Sequence, residues 1–191
     1  MTDKNWQTTT TLKVLKTRAK LISLIHEFFI QNGVLQVDTP AISQFCNTDP
    51  NIESFTVQEN RNANNHQKFY LHTSPEFPMK RLLANDIGSI YQICKVFRSS
   101  EKGRHHNSEF TLLEWYRINF DYFELMSEME SLLERINSFF PFYDTTQRYS
   151  YRELFLKYIN IDPINATVSE LINYIKNTTH SLLSVDTMDH D

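Results

Sequence analysis

Apolar side chains recur along this chain with two different spacings, and the spacing predicts which segments form helices and which form strands. Over residues 11–32 and 121–140 they return every three or four residues, which predicts two long amphipathic helices. Gly33 directly follows the first segment, at the position where a left-handed residue commonly ends a helix. Two shorter segments with the same spacing, 149–159 and 167–177, predict two further helices.

Other segments alternate apolar and polar residues with the period of two that is typical of strands. Residues 89–97 and 109–116 predict a hairpin whose strands are joined by a charged loop. Strands are also predicted over 55–58 and 68–72, and the Asn-rich stretch 59–67 between them predicts a turn or a mobile flap.

Between the first helix and these strands, residues 34–37 predict a short strand and residues 43–54 predict a loop. Pro40 marks the end or the edge of that strand, because proline cannot donate a hydrogen bond to a neighbouring strand. A helix, a short strand and an edge proline fit either a plain core or a subunit interface.

The second strand of the hairpin carries an aromatic ring and a carboxylate on one face. Phe110, Glu114 and Tyr116 share that face because strand side chains alternate. Arg98 stands at the end of the first strand, and its planar guanidinium group suits a pair of phosphate oxygens. These residues predict a floor on which a flat ring stacks while the loop binds phosphate. A surface salt-bridge network over a core hairpin would explain them as well.

The segment Ser74-Pro75-Glu76 predicts the start of a helix. Ser74 suits the cap, Pro75 the first helical position and Glu76 the first turn, where the helix dipole favours an anion. These preferences account for all three residues without a ligand. The functional alternative places Ser74 and Glu76 in a pocket, where they meet a substrate ammonium group.

Composition excludes several classes of protein. Only three glycines occur among 191 residues, which excludes a glycine-rich phosphate loop and therefore P-loop and dinucleotide-binding folds. A net charge of −4 argues against a nucleic-acid partner held by bulk charge. No apolar run is long enough to span a membrane.

Cysteine and histidine positions give no metal site. Cys46 and Cys94 fit no ligand spacing and indicate reduced thiols in a cytoplasmic protein. His105 and His106 are neighbours in a loop, which is a poor arrangement for binding a metal ion.

Three ordered motifs resemble those of class II aminoacyl-tRNA synthetases in their lysyl form. Residues 97–116, which contain Phe97-Arg98 and HNSEFTLLEWY, are similar to the second signature motif of that family. Residues 33–40, GVLQVDTP, resemble the first motif, whose proline lies at the dimer interface in the family. Residues 73–83 contain TSPE and MKRLL and resemble the lysyl-specific substrate segment. The resemblance implies an α+β fold, an antiparallel sheet flanked by helices, over residues 1–191 as one portion of a catalytic domain.

The chain also resembles the family of elongation factor P–(R)-β-lysine ligases. The first-motif helix begins almost at Met1, so we expect no anticodon-binding domain, and residues 114–117 and 121–122 are similar to this family. The resemblance implies that (R)-β-lysine is activated by ATP with Mg²⁺ and transferred to a lysine of elongation factor P. It implies a cytoplasmic homodimer whose acceptor is a protein and not a tRNA.

The same resemblance implies roles for single residues. Arg98 would be catalytic, because it would contact the α-phosphate and stabilise the charge that develops there. The ATP-binding set would be Arg98, Ser99, Ser100, Asn107 and Phe110. The set that frames the lysine-like substrate would be Ser74, Pro75, Glu76, Glu114 and Tyr116.

Three features depart from the family pattern. Ser100 stands where the family usually has a glutamate, and Ser108 replaces a proline before Glu109. The chain also ends before the third motif, which carries a glycine-rich segment, a second ATP-binding arginine and the region of the acidic Mg²⁺ ligands. We therefore expect about half an active site in a truncated ligase. Two alternatives stay open: a non-catalytic remnant that binds ATP or lysine, and a catalytic fragment of a lysyl-tRNA synthetase.

Overall fold

The computed structural model of the protein describes residues 8–62, 65–99, 103, 104 and 106–178. The chain divides into two compact units, Met1–Phe142 and Tyr143–Asp191. All candidate site residues belong to the first unit. That residues 1–191 form one portion of a single catalytic domain stays a prediction.

The described residues of the first unit form three helices and six strands. In chain order these are α1 Leu12–Gln31, β1 Leu35–Gln36, β2 Ile42–Ser43, β3 Thr56–Asn62, β4 Asn65–Leu71, α2 Glu76–Leu83, β5 Ile90–Phe97, β6 Glu109–Tyr116 and α3 Tyr122–Phe139. The two long helices and the two strands of the central hairpin are therefore confirmed, with bounds that differ from the predicted ones by one residue or less.

The strands form two three-stranded sheets. In the first sheet, β5 lies between β1, to which it is parallel, and β6, to which it is antiparallel. In the second, β4 lies between β2 and β3 and is antiparallel to both. The Phe97 N–H donates a hydrogen bond of 3.0 Å to the His72 carbonyl, which joins β5 to the end of β4. The mostly antiparallel sheets with helices confirm the predicted α+β class.

The core lies between α1, α3 and one face of the hairpin. Its buried residues are Phe28, Phe29, Val34, Tyr91 and Leu132. The Phe29 ring stacks on Tyr91, with ring centroids 4.6 Å apart and an angle of 18° between the planes. Leu113 and Trp115 of β6 pack against this cluster. Because side chains alternate along a strand, Glu114 and Tyr116 face away from the core.

The ends of the long helices follow from local hydrogen bonding. The Thr11 hydroxyl accepts a hydrogen bond from the Val14 N–H at the start of α1. Gly33, with φ of 68°, follows the last turn of α1 and turns the chain toward β1. At the start of α3, Asp121 and Glu124 each accept a hydrogen bond of 2.8 Å from the backbone N–H of the other, which is a capping box.

Two predictions about local structure are wrong. The stretch 59–67, predicted as a turn or a mobile flap, is not a turn over its whole length, because β3 extends to Asn62 and β4 begins at Asn65; residues 63 and 64 lie outside the described residues, and the flap stays a prediction. Ser74 is not the cap of α2, because the cap position belongs to Pro75. The predicted loop over 43–54 also begins within a short strand, β2, that was not expected.

The second unit contains α4 Tyr151–Ile159 and α5 Val168–Thr178, which confirms the two shorter helices. The Ser150 hydroxyl accepts a hydrogen bond from the Glu153 N–H, and Glu153 accepts one from the Ser150 N–H. These hydrogen bonds hold the pKa of the Glu153 carboxyl below its ordinary value. None of the helices in the described part of the chain is long and apolar enough to cross a membrane.

The left-handed residue after α1 yields a test of stability. We expect Gly33→Ala to lower the free energy of unfolding by about 1–2 kcal/mol, because a Cβ is disfavoured at this φ. No heavy atom lies within 4 Å of the added Cβ, so steric contact adds nothing. Denaturant unfolding followed by circular dichroism measures the change.

Gly103→Ala is the matched control. Its added Cβ meets only His106 Nδ1 at 3.8 Å, an ordinary contact, and its φ lies outside the left-handed range, so stability should change little. Equal effects of the two substitutions would show that the conformation of Gly33 is not the cause.

Candidate active site

The open face of the hairpin borders a cavity of about 1270 Å³. The start of α2, the end of β5 and the segment over residues 40–52 form its other walls. Four of the predicted site residues line it: Ser74, Glu76, Arg98 and Glu114. Residues from three separate parts of the sequence are therefore brought to one cavity.

Glu114 is held by two hydroxyl groups on the floor of this cavity. Ser74 Oγ donates a hydrogen bond of 2.6 Å to Glu114 Oε2, and the Tyr116 hydroxyl donates one of 2.6 Å to Glu114 Oε1. Ser74 Oγ also accepts a hydrogen bond of 3.0 Å from the Glu76 N–H. The hydroxyl of Ser74 thus links the backbone in the first turn of α2 to the Glu114 carboxylate of β6.

Burial is the main cause that raises the pKa of two groups at this end of the cavity, and nearby carboxylates add to it. Burial raises the pKa of the Tyr116 phenol far above its ordinary value of 10.0, and the hydrogen bond to Glu114 and the charges of Glu114 and Glu76 raise it further. Burial also raises the pKa of the Cys94 thiol to about 11, with a further contribution from the charges of Glu114 and Asp38. The contributions of the carboxylates indicate a negative potential here, which attracts a cationic group.

Glu76 itself has a cationic neighbour. It forms an ion pair with Lys80, one turn later on α2, and both residues line the cavity. The side chains are about half exposed, at 46% for Glu76 and 54% for Lys80. An i,i+4 pair with glutamate on the N-terminal side is the favourable orientation in a helix.

Arg98 lies where the hairpin meets the segment before α2. Its Nε donates a hydrogen bond of 3.3 Å to the Thr73 carbonyl, and its guanidinium carbon lies 5.0 Å from the centre of the Phe110 ring. The charge therefore rests on an aromatic face at the edge of the cavity. This brings together the arginine and the ring that the sequence predicts for ATP, while Phe110 itself does not line the cavity.

Two further predicted ATP residues, Ser99 and Asn107, do not line the cavity. The Ser99 hydroxyl donates a hydrogen bond of 2.7 Å to Glu53 Oε2, and the Ser99 N–H donates one of 2.9 Å to the Glu53 carbonyl. Asn107 is exposed at the end of the loop and is not among the residues that line the cavity. Ser100 lies outside the described residues.

Two of the predicted substrate residues border the site without lining the cavity. Pro75 is buried, and its carbonyl accepts the Met79 N–H, so its contribution is to the backbone at the start of α2. Tyr116 reaches the site through its hydrogen bond to Glu114. Within the described part of the chain, no group of three or more residues of the metal-binding types His, Cys, Asp and Glu lies close enough to hold a metal ion.

Several residues with contacts in or beneath the site were not anticipated. Lys80 could have been found from its i,i+4 spacing to Glu76. The Thr39 hydroxyl donates to the buried Gln92 Oε1 at 3.0 Å, and Gln92 lies directly opposite Glu114 in the sheet. That contact and the one between Glu53 and Ser99 span about fifty residues, so no local pattern indicates them.

Comparison with known proteins identifies the family that this chain resembles. A family model described as tRNA synthetases class II (D, K and N) matches residues 5–183. A protein of Photobacterium profundum named elongation factor P–(R)-β-lysine ligase is 44% identical over 167 residues, which cover 87% of this chain and 50% of that protein. Proteins of the same name from Haemophilus ducreyi and Vibrio vulnificus are 40% and 44% identical, covering 90% and 87% of this chain. The alignments cover 52% and 51% of those two proteins, so the chain spans about half the length of the curated relatives it matches.

The hydrogen bond between Tyr116 and Glu114 can be tested by titration. We expect Glu114→Gln to lower the pKa of the Tyr116 phenol toward its ordinary value, because the charge and the charged acceptor are both removed. Burial still keeps the pKa of Tyr116 above its ordinary value. Because the raised pKa keeps the folded phenol protonated, its contribution to stability is present below about pH 10 and is lost as pH rises beyond that.

Residue-resolved NMR of the tyrosine Cζ carbons over pH 8–12 measures the change. Tyr91 is an internal control, since burial is the only cause that raises its pKa, and it should titrate alike in both proteins. An unchanged Tyr116 titration would assign the whole effect to burial.

Proposed function

The chain belongs to the family of class II tRNA synthetases described for D, K and N, and from that premise we propose that it acts in an ATP-dependent ligase reaction. The substrate is (R)-β-lysine, and the acceptor is a lysine side chain of elongation factor P. The names of the most similar relatives support both assignments. The observation that carries the proposal is the pair of carboxylates, Glu76 and Glu114, that line one cavity with Arg98.

Two carboxylates match a substrate with two ammonium groups. (R)-β-lysine carries two amino groups and one carboxylate. The cavity wall has Glu76, Glu114 and Arg98 among its charged residues, and the others are Asp49, Lys80 and Arg81. Glu114 holds two neutral donors, which orient it and leave its charge for an ammonium group. Charge-assisted hydrogen bonds of this kind are about twice as strong as neutral ones.

Adenylate formation is the first step of the proposed reaction. An oxygen of the substrate carboxylate attacks the α-phosphorus of ATP, a new C–O–P bond forms, and the bond to pyrophosphate breaks. Arg98 would stabilise the negative charge on the α-phosphate oxygens during this step. The rate would come from alignment and fixed charge, since no residue needs to form a covalent intermediate.

Acyl transfer is the second step. The amine of the acceptor lysine attacks the acyl carbon, an amide bond forms, AMP leaves, and the amine releases a proton. Net charge supports a protein acceptor, because a chain with net charge −4 has no excess of cations for a tRNA.

Arg98 and Phe110 would exchange partners when ATP binds. The guanidinium group covers one face of the ring, a contact worth about 0.5–1 kcal/mol at an exposed site. Hydrogen bonds from a guanidinium group to phosphate are stronger, about 1.5–3 kcal/mol each. Hydrogen bonds to the α-phosphate would therefore outweigh the contact with the ring, and moving away from the ring would uncover Phe110 for adenine. Ser99, Ser100 and Asn107 complete the proposed ATP set.

Magnesium belongs to the proposed reaction through the family, and it would supply positive charge that offsets the charge of the ATP phosphates. The described residues provide no cluster of metal-ligating side chains. No residue of this chain is therefore assigned to the ion, and no step above depends on it.

The proposed assembly is a cytoplasmic homodimer. Contact through residues 33–40 is supported by the exposure of Leu35 in the edge strand β1, an apolar side chain suited to burial by a partner. Two cysteines, Cys46 and Cys94, are not in disulfides, as is typical of a reducing compartment.

ATP–pyrophosphate exchange catalysed by the full-length protein tests the role of Arg98. We expect Arg98→Ala to reduce (R)-β-lysine-dependent exchange by about 10²–10³-fold, because one stabiliser of transition-state charge is lost. Arg98→Lys keeps the charge without the planar fork and should lose less. Circular dichroism checks that both variants fold. Undiminished exchange in Arg98→Ala would contradict the assigned role.

The same assay separates the proposed ligase from its alternatives. A non-catalytic remnant would show no exchange with any amino acid. A lysyl-tRNA synthetase would prefer α-lysine and would charge tRNA.

The role of Glu76 is tested by comparing two substrates. We expect Glu76→Gln to raise the KM for (R)-β-lysine by about tenfold or more, because a charged acceptor of an ammonium group is removed, and to leave the KM for ATP within about twofold. Glu109→Gln is the matched control, since Glu109 is an exposed carboxylate on β6 paired with Lys95 at 3.0 Å. Equal losses for the amino acid and ATP would refute the assignment.

A further inference from the structure

The two carboxylates of the cavity differ in the charge of their partners. Glu114 accepts hydrogen bonds from two neutral hydroxyls, those of Ser74 and Tyr116. Glu76 is paired with the ammonium group of Lys80. One carboxylate therefore offers an uncompensated charge to a ligand, while the charge of the other is already balanced from within the chain.

The ammonium group of Lys80 can leave Glu76 easily. Lysine carries a compact, strongly hydrated charge on a flexible four-carbon stem. More than half of the Lys80 side chain is exposed, so its ammonium group can return to water without a conformational change of α2. Exposed ion pairs of this kind are weak, so a ligand can displace one at little cost.

The Glu76 backbone, in contrast, is fixed. Its N–H donates to Ser74 Oγ, which donates in turn to Glu114. Displacing Lys80 therefore exposes the carboxylate of a residue whose backbone is already tied to Glu114 through Ser74. A ligand ammonium group can replace Lys80 there without rearranging the floor of the cavity.

We propose that Lys80 is a competing cation that tunes the affinity of the site, because its ammonium group occupies Glu76 until an ammonium group of the substrate displaces it. The proposal rests on the assignment of Glu76 to the substrate. A ligand with a second ammonium group exchanges one cation for another at Glu76. A ligand without one leaves the pair of Lys80 and Glu76 in place, so Lys80 weakens the binding of diamino acids and does not affect that of monoamino acids.

A purely structural role predicts a different outcome. The pair is also an i,i+4 contact that stabilises an eight-residue helix. If that were its whole role, removing Lys80 would lower the melting temperature and leave ligand affinity unchanged. Affinity and melting temperature are therefore measured together.

The experiment compares Lys80→Met with Arg81→Met in the gene product by calorimetric titration with (R)-β-lysine. Both substitutions remove one positive charge from residues that line the cavity. Arg81 is five positions from Glu76 and points from a different face of α2. Lys80→Met should tighten (R)-β-lysine binding roughly two- to fivefold, the range expected when a weak competing ion pair is removed. Arg81→Met should change it by less than half as much.

Two further variants test whether the effect passes through Glu76. In a Glu76→Gln background, Lys80→Met should no longer change the affinity, because there is no carboxylate to compete for. An unchanged or weaker affinity in Lys80→Met, an equal gain in Arg81→Met, or a gain that persists in the Glu76→Gln background would each overturn the proposal.

The same series with L-lysine separates this inference from the proposed substrate. If the unmodified protein binds L-lysine and not (R)-β-lysine, the substrate assignment fails and the Lys80 comparison is decided on L-lysine. If it binds neither diamino acid, both proposals are overturned.

Discussion

Pairing of β5 with β6 in one register is the constraint on which both the core and the site depend. Opposite residues run from Ile90 with Tyr116 to Phe97 with Glu109. In this register Trp115 packs in the core, and Glu114 faces the cavity. A slip of one residue would exchange the two faces, placing a carboxylate in an apolar cluster and an indole over the cavity. The apolar cluster that stabilises the fold thus also fixes the chemistry of the open face.

A buried ion pair between Arg117 and Glu128 lies on the core side of β6 and stabilises this register at the C-terminal end of the strand. Trp115 Nε1 donates a hydrogen bond of 3.0 Å to Glu128 Oε2, and Arg117 Nε lies 3.2 Å from Glu128 Oε1. Arg117 also donates to the carbonyl of Asn32 at the end of α1. Residues 115 and 117 flank Tyr116, so α1 and α3 hold the strand on both sides of a site residue. Removing one partner of a buried ion pair leaves an uncompensated charge, so the loss of Arg117 or Glu128 would destabilise the protein.

Much of this arrangement could be predicted from the sequence, because it depends on local periodicity. The alternation over residues 109–116 identified β6 with its bounds and assigned Phe110, Glu114 and Tyr116 to one face. The predictions that were wrong concern residues whose partners belong to another element of the fold. Asparagines disfavour strands, yet β3 extends to Asn62 and β4 begins at Asn65 because pairing outweighs propensity. Ser74 suits a helix cap by type, but its hydroxyl donates to Glu114, forty residues away, and Pro75 takes the cap position.

The direction of each hydrogen bond determines how a ligand can lie in the cavity. The Tyr116 phenol is protonated at neutral pH and donates, so Glu114 receives a proton donor on each of its two oxygens. The lone pairs that remain on Glu114 can only accept. An ammonium group fits there, whereas a substrate carboxylate would meet both repulsion and an acceptor without a proton. Under the proposed function, the substrate carboxylate would turn toward a cation of the cavity wall such as the guanidinium group of Arg98. The orientation of the amino acid would then follow from the hydroxyl groups of Ser74 and Tyr116, which hold Glu114.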